Sequence, residues 1–196
     1  VFYYVTLMNE NYAQPDLRPG AEADILKGCY KFNSYSRPLG MGQSPKKLEK
    51  LAQNITLLGS GAILTEVIKA AQQLAAQGIE TTVFSVTSWS ELARDGAACQ
   101  QRALASVRPE PVEGSVPFIA QQLAGSEGPI IAATDYVRAV PESIRAFLPP
   151  GRSYLTLGTD GFGRSDTRAA LRGFFGVDAA SIVKAALHQL DLSLRA

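Results

Sequence analysis

The twelve residues Leu157-Gly158-Thr159-Asp160-Gly161-Phe162-Gly163-Arg164-Ser165-Asp166-Thr167-Arg168 hold three glycines, two aspartates and two arginines. An apolar run, 153–157, precedes them and a helical pattern follows. A strand, a glycine turn and a helix form the setting in which backbone amides cradle a phosphate. Gly158, Gly163, Arg164 and Ser165 fall at the spacing of a P-loop, with Arg where that motif needs Lys. The exchange matters, because guanidinium is broad and planar whereas the ammonium is compact. Few residues follow Ser165 to supply further strands and a magnesium-holding aspartate. The dinucleotide spacing fails as well: after Gly161 and Gly163 its third glycine falls at Asp166. A nucleotide- or anion-binding module using Gly158–Ser165 therefore stands as the alternative reading. The residues favour another: Ser165 or Asp166 caps the next helix, the glycines supply positive φ, and Phe162 is presented as a contact for another protein surface.

The other candidates for chemistry are weaker. Leu58–Leu64, "LGSGAIL", is a second strand–glycine–helix turn, better explained by close packing of small residues than by an anion. His188, the single histidine, falls on the polar side of the last helix with Lys184 and Asp191. Asn9-Glu10-Asn11-Tyr12 gathers polar groups near Pro15, where Asx turns and interdomain hydrogen bonds account for them. Arg94 and Asp95 pair with neighbours on a helix surface, and Trp89 packs. Cys29 and Cys99 lack metal-ligand spacing and read as free thiols. No nucleophile with a base, and no metal site, comes out of the spacing.

Those residues need elements to hold them. At 196 residues and 46% hydrophobic content the chain suffices for one domain with a proper core. Its 19 basic and 18 acidic side chains give a net charge of +1, which leaves no footprint for nucleic acid or an anionic membrane. No apolar stretch approaches the ~20 residues of a membrane span. Val1-Phe2-Tyr3-Tyr4-Val5-Thr6-Leu7 starts without Met and reads at once as a strand, so we expect a piece of a longer polypeptide.

The pattern then predicts a short helix over 21–27 and a strand at 29–32, followed by a polar loop from Asn33 through Lys47. Strands follow at 54–58, 81–86, 129–133 and 153–157. Between them come a helix carrying Ile63, Val67, Ile68, Ala71 and Leu74 and another opened by Ser88 and Glu91 as a capping box. A three-proline surface loop spans 106–117, and shorter helices cover 118–124 and 142–148. A final pair of helices ends the chain, the last with Ile182, Val183, Ala186, Leu187 and Leu190 on one stripe. Strands alternating with helices specify an α/β sandwich with a mostly parallel sheet covered on both faces.

The ordered segments "TLMNENYAQP", "EADILKGCYKF", "LLGSGAIL", "VFSVTSWSELARDG", "ATDYVRAVPESIR" and "LGTDGFGRSDTRAALRGFFGVDAASIV" carry a resemblance over almost the whole chain. It is to the C-terminal domain of the homodimeric pyruvate dehydrogenase decarboxylating component, of the transketolase-like thiamine diphosphate enzymes. The resemblance implies a three-layer α/β/α sandwich on a five-stranded sheet, four strands parallel, over 21–196, with 1–20 as an opening strand and interdomain linker. It also implies a bacterial cytoplasmic enzyme that decarboxylates pyruvate and passes acetyl to the lipoyl arm of an acetyltransferase core. Thiamine diphosphate and Mg2+ would then be bound by upstream domains. The family's Gly-Asp-Gly with its later Asn pair does not occur here: Asp160-Gly161 is followed by no such pair. No position inherits a catalytic, cofactor or metal role, and the fragment alone is expected to be inactive. What remains is packing against sister domains and a dimer partner, with Asp160, Phe162, Arg164 and Ser165 as interdomain contacts and Asn9, Glu10 and Tyr12 as linker anchors. The segment "SVRPEPVEGS" and the short tail ending at Ala196 depart from the family pattern.

Overall fold

The computed structural model describes residues 2, 11–13, 15–36, 54–105 and 114–195. The opening strand, Asn9, Glu10 and most of the two polar loops lie outside these residues. Within them the chain runs α1 (Glu22–Leu26), β1 (Cys29–Tyr35), β2 (Asn54–Gly59), a 3-10 turn (Gly61–Ile63), α2 (Leu64–Ala76), β3 (Glu80–Val86) and α3 (Trp89–Ala105). It continues with α4 (Phe118–Leu123), β4 (Ile130–Ala133), α5 (Ala139–Glu142), a 3-10 turn (Arg145–Phe147), β5 (Tyr154–Leu157), α6 (Arg168–Phe175) and α7 (Ala179–Arg195).

The five strands form one sheet in the order β1-β3-β2-β4-β5. β2, β3, β4 and β5 are mutually parallel, and β1 joins the β3 edge antiparallel with an irregularity between Lys31 and Asn33. Strands buried on both faces read as continuous apolar runs, which is why "NITLLG" and "IIAA" show no polar alternation. Their side chains nevertheless divide by the two-residue period. Ile55, Leu57, Ile131 and Ala133 join Val67, Ala70 and Leu74 of α2 and Ile182, Ala186 and Leu190 of α7. Leu58, Ile130 and Ala132 turn the other way, to Leu92 of α3, Ile119 and Leu123 of α4, and Ile144. Two cores on either side of one sheet make the three-layer α/β/α sandwich expected from the sequence.

Four local expectations change. The strand at 29 runs on to Tyr35, so Asn33 and Ser34 are paired with β3 rather than looped. The helix expected over 142–148 forms earlier, at 139–142, and gives way to a 3-10 turn at 145–147. Glu91 N–H donates to Ser88 Oγ at 3.2 Å, but the reciprocal half of the capping box is not made, because Ser88 N–H donates to Gly28 O. Leu187 leaves the buried stripe and is 38% exposed.

Candidate functional site

The carboxyl ends of β4 and β5 carry the residues singled out above, and the loops there are tied to each other at their base. A Cβ on Gly158 would lie 2.6 Å from Tyr136 O and 2.9 Å from Arg138 N, so only glycine allows the two loops to meet. Thr159 N–H then donates to Tyr136 O at 2.9 Å, and its hydroxyl donates to Asp135 O at 2.6 Å. Asp160 accepts from Arg138 N at 2.8 Å and from the Arg138 guanidinium through its second oxygen. The Arg138 backbone N–H, and then its side chain, hold the Asp160 carboxyl below the usual carboxylate range. Asp160 is thus a staple between two loops, which the spacing of the sequence had not shown.

Past that base the loop turns at Gly161, where φ is +92°. Phe162 stands 97% exposed at the tip. Arg164 then folds back, its guanidinium 4.0 Å from the centroid of the Phe174 ring, and Phe174 packs edge-on against Phe175. Ser165 is exposed. Neither Ser165 nor Asp166 caps α6, as the sequence had led us to expect. Thr167 does so, accepting from Ala170 N at 3.3 Å, and Asp166 accepts from Thr167 N instead. The correction bears on phosphate chemistry. A P-loop wraps its Gly-Lys-Ser onto the helix amides, whereas here Gly163, Arg164 and Ser165 end before α6 begins at Arg168. A hollow of about 270 Å³ between this loop and α6 is lined by Ile63, Leu171 and Phe175 as well as Arg164 and Arg168.

Tyr12 lies apart from that loop tip, on the flank of α6. Arg172 Nη2 donates to the Tyr12 hydroxyl at 3.1 Å, and Arg172 Nη1 donates to Glu66 at 3.2 Å. Glu66 also accepts from Lys69 Nζ at 2.9 Å and from Ala179 N–H at 3.1 Å. One buried carboxylate therefore joins α2, α6, α7 and the segment around Tyr12. Sequence reading missed Glu66 and Arg172, which stand 106 positions apart and share no spacing rule.

Next to the loop, Tyr136 is 58% and Val137 47% exposed, and Phe174 57%. With Phe162 they are the exposed large apolar side chains near this end of the sheet. Among the described residues no three His, Cys, Asp or Glu side chains come together to hold a metal ion. Asp95, expected on a helix surface, instead accepts from Phe118 N–H at 2.6 Å and fixes the start of α4. His188 is exposed, and Trp89 is buried at 4% exposure. Cys29 and Cys99 are buried free thiols.

The family model described as the transketolase-like TK C-terminal domain matches residues 45–178, and the chain belongs to that family. A transketolase from Leishmania mexicana shares the fold at a TM-score of 0.51, with 15% identity over 89% of this chain and 20% of that one. The sequence relatives are more specific. The chain is 45% identical over 191 residues to the pyruvate dehydrogenase E1 component of Cupriavidus necator, covering 97% of this chain and 20% of that protein. It is 46% identical over 192 residues to the one of Haemophilus influenzae and 42% over 191 to the one of Escherichia coli K12. It spans about a fifth of the length of these relatives.

Proposed function

We propose that residues 21–196 are the C-terminal domain of a pyruvate dehydrogenase E1-type subunit, with 1–20 as the segment linking it to domains upstream. The whole polypeptide would decarboxylate pyruvate on thiamine diphosphate and Mg2+ and pass acetyl to the lipoyl arm of a dihydrolipoyl acetyltransferase core, as a homodimer in a bacterial cytoplasm. The observation that carries this reading is the 42–46% identity across 97% of the chain to proteins that bear that name. The domain's own part is to pack on its sister domains and dimer partner. The exposed aromatic tip at Phe162, with Tyr136, Val137 and Phe174 also exposed at this end of the sheet, supports that part, since exposed apolar groups mark protein contacts. Asp160 sets the loop, Arg164 and Ser165 flank the tip, and Tyr12, with Asn9 and Glu10 before it, anchors the linker. No helix among the described residues is long and apolar enough to cross a membrane.

The test uses the complete reading frame that contains this chain. The purified product should decarboxylate pyruvate only with thiamine diphosphate and Mg2+, and Phe162→Ser should weaken its dimer in sedimentation. The 196-residue chain alone should show no saturable heat with thiamine diphosphate and Mg2+. Saturable binding by the chain alone, or an unaltered dimer in the variant, overturns the packing role.

A further inference from the structure

The hollow between the glycine loop and α6 mixes apolar surface with charge. Ile63 and Val177 in its lining are buried, whereas Leu171 and Phe175 are only half-buried, so apolar surface stays open within it. Its charged groups are Arg164, Arg168, Arg172 and Asp135. Glu66 answers Arg172, which leaves two guanidinium groups to one carboxylate. Arg164 lies on the Phe174 ring, and among the described residues it pairs with no carboxylate. Stacking engages the flat face of a guanidinium and leaves the N–H donors at its edge for an anion. α6 starts at Arg168, so the positive end of its dipole adds to the charge there.

An inorganic anion would leave the apolar lining bare, and a purely apolar group would leave Arg164 without a counter-charge. A peptide segment with a large apolar side chain next to an Asp or Glu answers both. The size agrees. At about 270 Å³ the hollow lies below the roughly 300–1,000 Å³ of small-molecule sites, and it suits one or two side chains better than a cofactor. Position says where such a segment comes from. Arg172, which lines the hollow, also holds the Tyr12 hydroxyl, so the linker is fastened at its side. The chain spans only about a fifth of its relatives' length, so most of a polypeptide of that kind lies outside these 196 residues.

We propose that the hollow seats an acidic segment of a sister domain in the same polypeptide: its carboxylate accepts from Arg164, and a large apolar neighbour covers Leu171 and Phe175. The inference rests on the packing role given above and adds the chemistry of the surface that is met.

The test uses the complete polypeptide, with Leu171 replaced by the photo-crosslinking amino acid p-benzoylphenylalanine. Irradiation should join this position to a sister domain within one subunit. Mass spectrometry of the joined peptides should find an Asp or Glu beside the point of attachment. Arg164→Glu should then speed hydrogen exchange of the α6 amides by about fivefold or more, because like charges now meet. Arg164→Lys should stay near the parent. Changing the identified carboxylate to lysine in the Arg164→Glu background should restore slow exchange, a rescue that mere loss of the Phe174 contact would not give. Circular dichroism reports whether each variant is folded. A crosslink to a second subunit, attachment to a segment without a carboxylate, or failure of the charge swap overturns the inference and leaves the packing role standing. Absence of any crosslink overturns it too, and if Phe162→Ser also leaves the dimer unaltered, the packing role falls with it.

Discussion

Replacing Arg172 by alanine should destabilise the domain more than any surface charge change, because it breaks the junction at Glu66. The Glu66 side chain is 9% exposed and that of Arg172 17%. The variant loses one bond to Glu66 and one to the Tyr12 hydroxyl. A hydrogen bond involving a charged group contributes about 1.5–3 kcal/mol, and the charged Arg172 guanidinium is the donor in both, the partly exposed one to Tyr12 contributing least. Lys69 and Ala179 N–H remain with Glu66, so the carboxylate is not stranded and the lower part of the range applies. We expect a loss of about 2–3 kcal/mol in urea unfolding, which for a domain of this size lowers the melting temperature by roughly 4–12 °C. The decisive measurement is the double-mutant cycle with Glu66→Gln. If both residues act through one junction, the double variant should be more stable than the sum of the single losses implies, by about 1 kcal/mol or more. Tyr12→Phe should cost about 0.5–1 kcal/mol, and less than that once Arg172 is gone. Additive losses across the cycle, or a cost for Arg172→Ala below about 0.5 kcal/mol, would refute the reasoning.

Acid should act on two carboxylates. The Arg145 guanidinium, helped by the Thr156 hydroxyl, holds Glu142 below its ordinary value against the opposing effect of partial burial, and Arg138 holds Asp160 below its own. A carboxyl depressed in the folded state stabilises it above the unfolded value and ceases to do so as pH falls through the folded one. The stability gap between the parent chain and Glu142→Gln or Asp160→Asn should therefore be constant from neutrality down to about pH 5 and close below about pH 4, as followed by urea midpoints. A gap that widens on acidification contradicts this. Two glycines of the loop should differ in kind: Gly158→Ala drives a Cβ to 2.6 Å from Tyr136 O, while Gly161→Ala meets nothing within 4 Å and strains only a φ of +92°. The second should cost about 1–2 kcal/mol, and the first should cost more and loosen the amides of 135–138 to hydrogen exchange. Equal protection in the two variants would count against the contact between the loops.

The sandwich was legible because its signals are local. Apolar runs too short for helices, such as Ile130–Ala133, sat between glycines and helical patterns, and the stripe of α2 has the 3.6-residue period. Glycine before Ser60 was correctly read as packing, since a Cβ on Gly59 would come within 2.9 Å of Val67. The candidate site was legible only in part. Phe162 between two glycines announced an exposed ring, yet nothing near Asp160 in the sequence names Arg138 as its partner, and nothing near Glu66 names Arg172. Such pairs depend on how the sheet closes, 22 and 106 positions apart, and no periodicity reports them. The capping of α6 failed for a subtler reason. Ser165, Asp166 and Thr167 are all good caps by type, and type alone does not say which one serves: Thr167 does, and Arg164 lies against Phe174 ahead of it.

The position of Arg164 also supports our proposal that the glycine loop serves contact and not phosphate. A cradle needs successive amides turned inward onto one centre at the start of a helix. This loop spends its polar groups at the base, where Thr159 and Asp160 are bonded to residues 135–138, and folds Arg164 onto a ring. What it leaves free is a phenyl ring at 97% exposure on a base already fixed. A side chain held out on a rigid support loses little further freedom when a partner covers it, so more of the burial energy survives as affinity. The same twelve residues that imitate a nucleotide motif in one dimension therefore form, in three, a stapled knob.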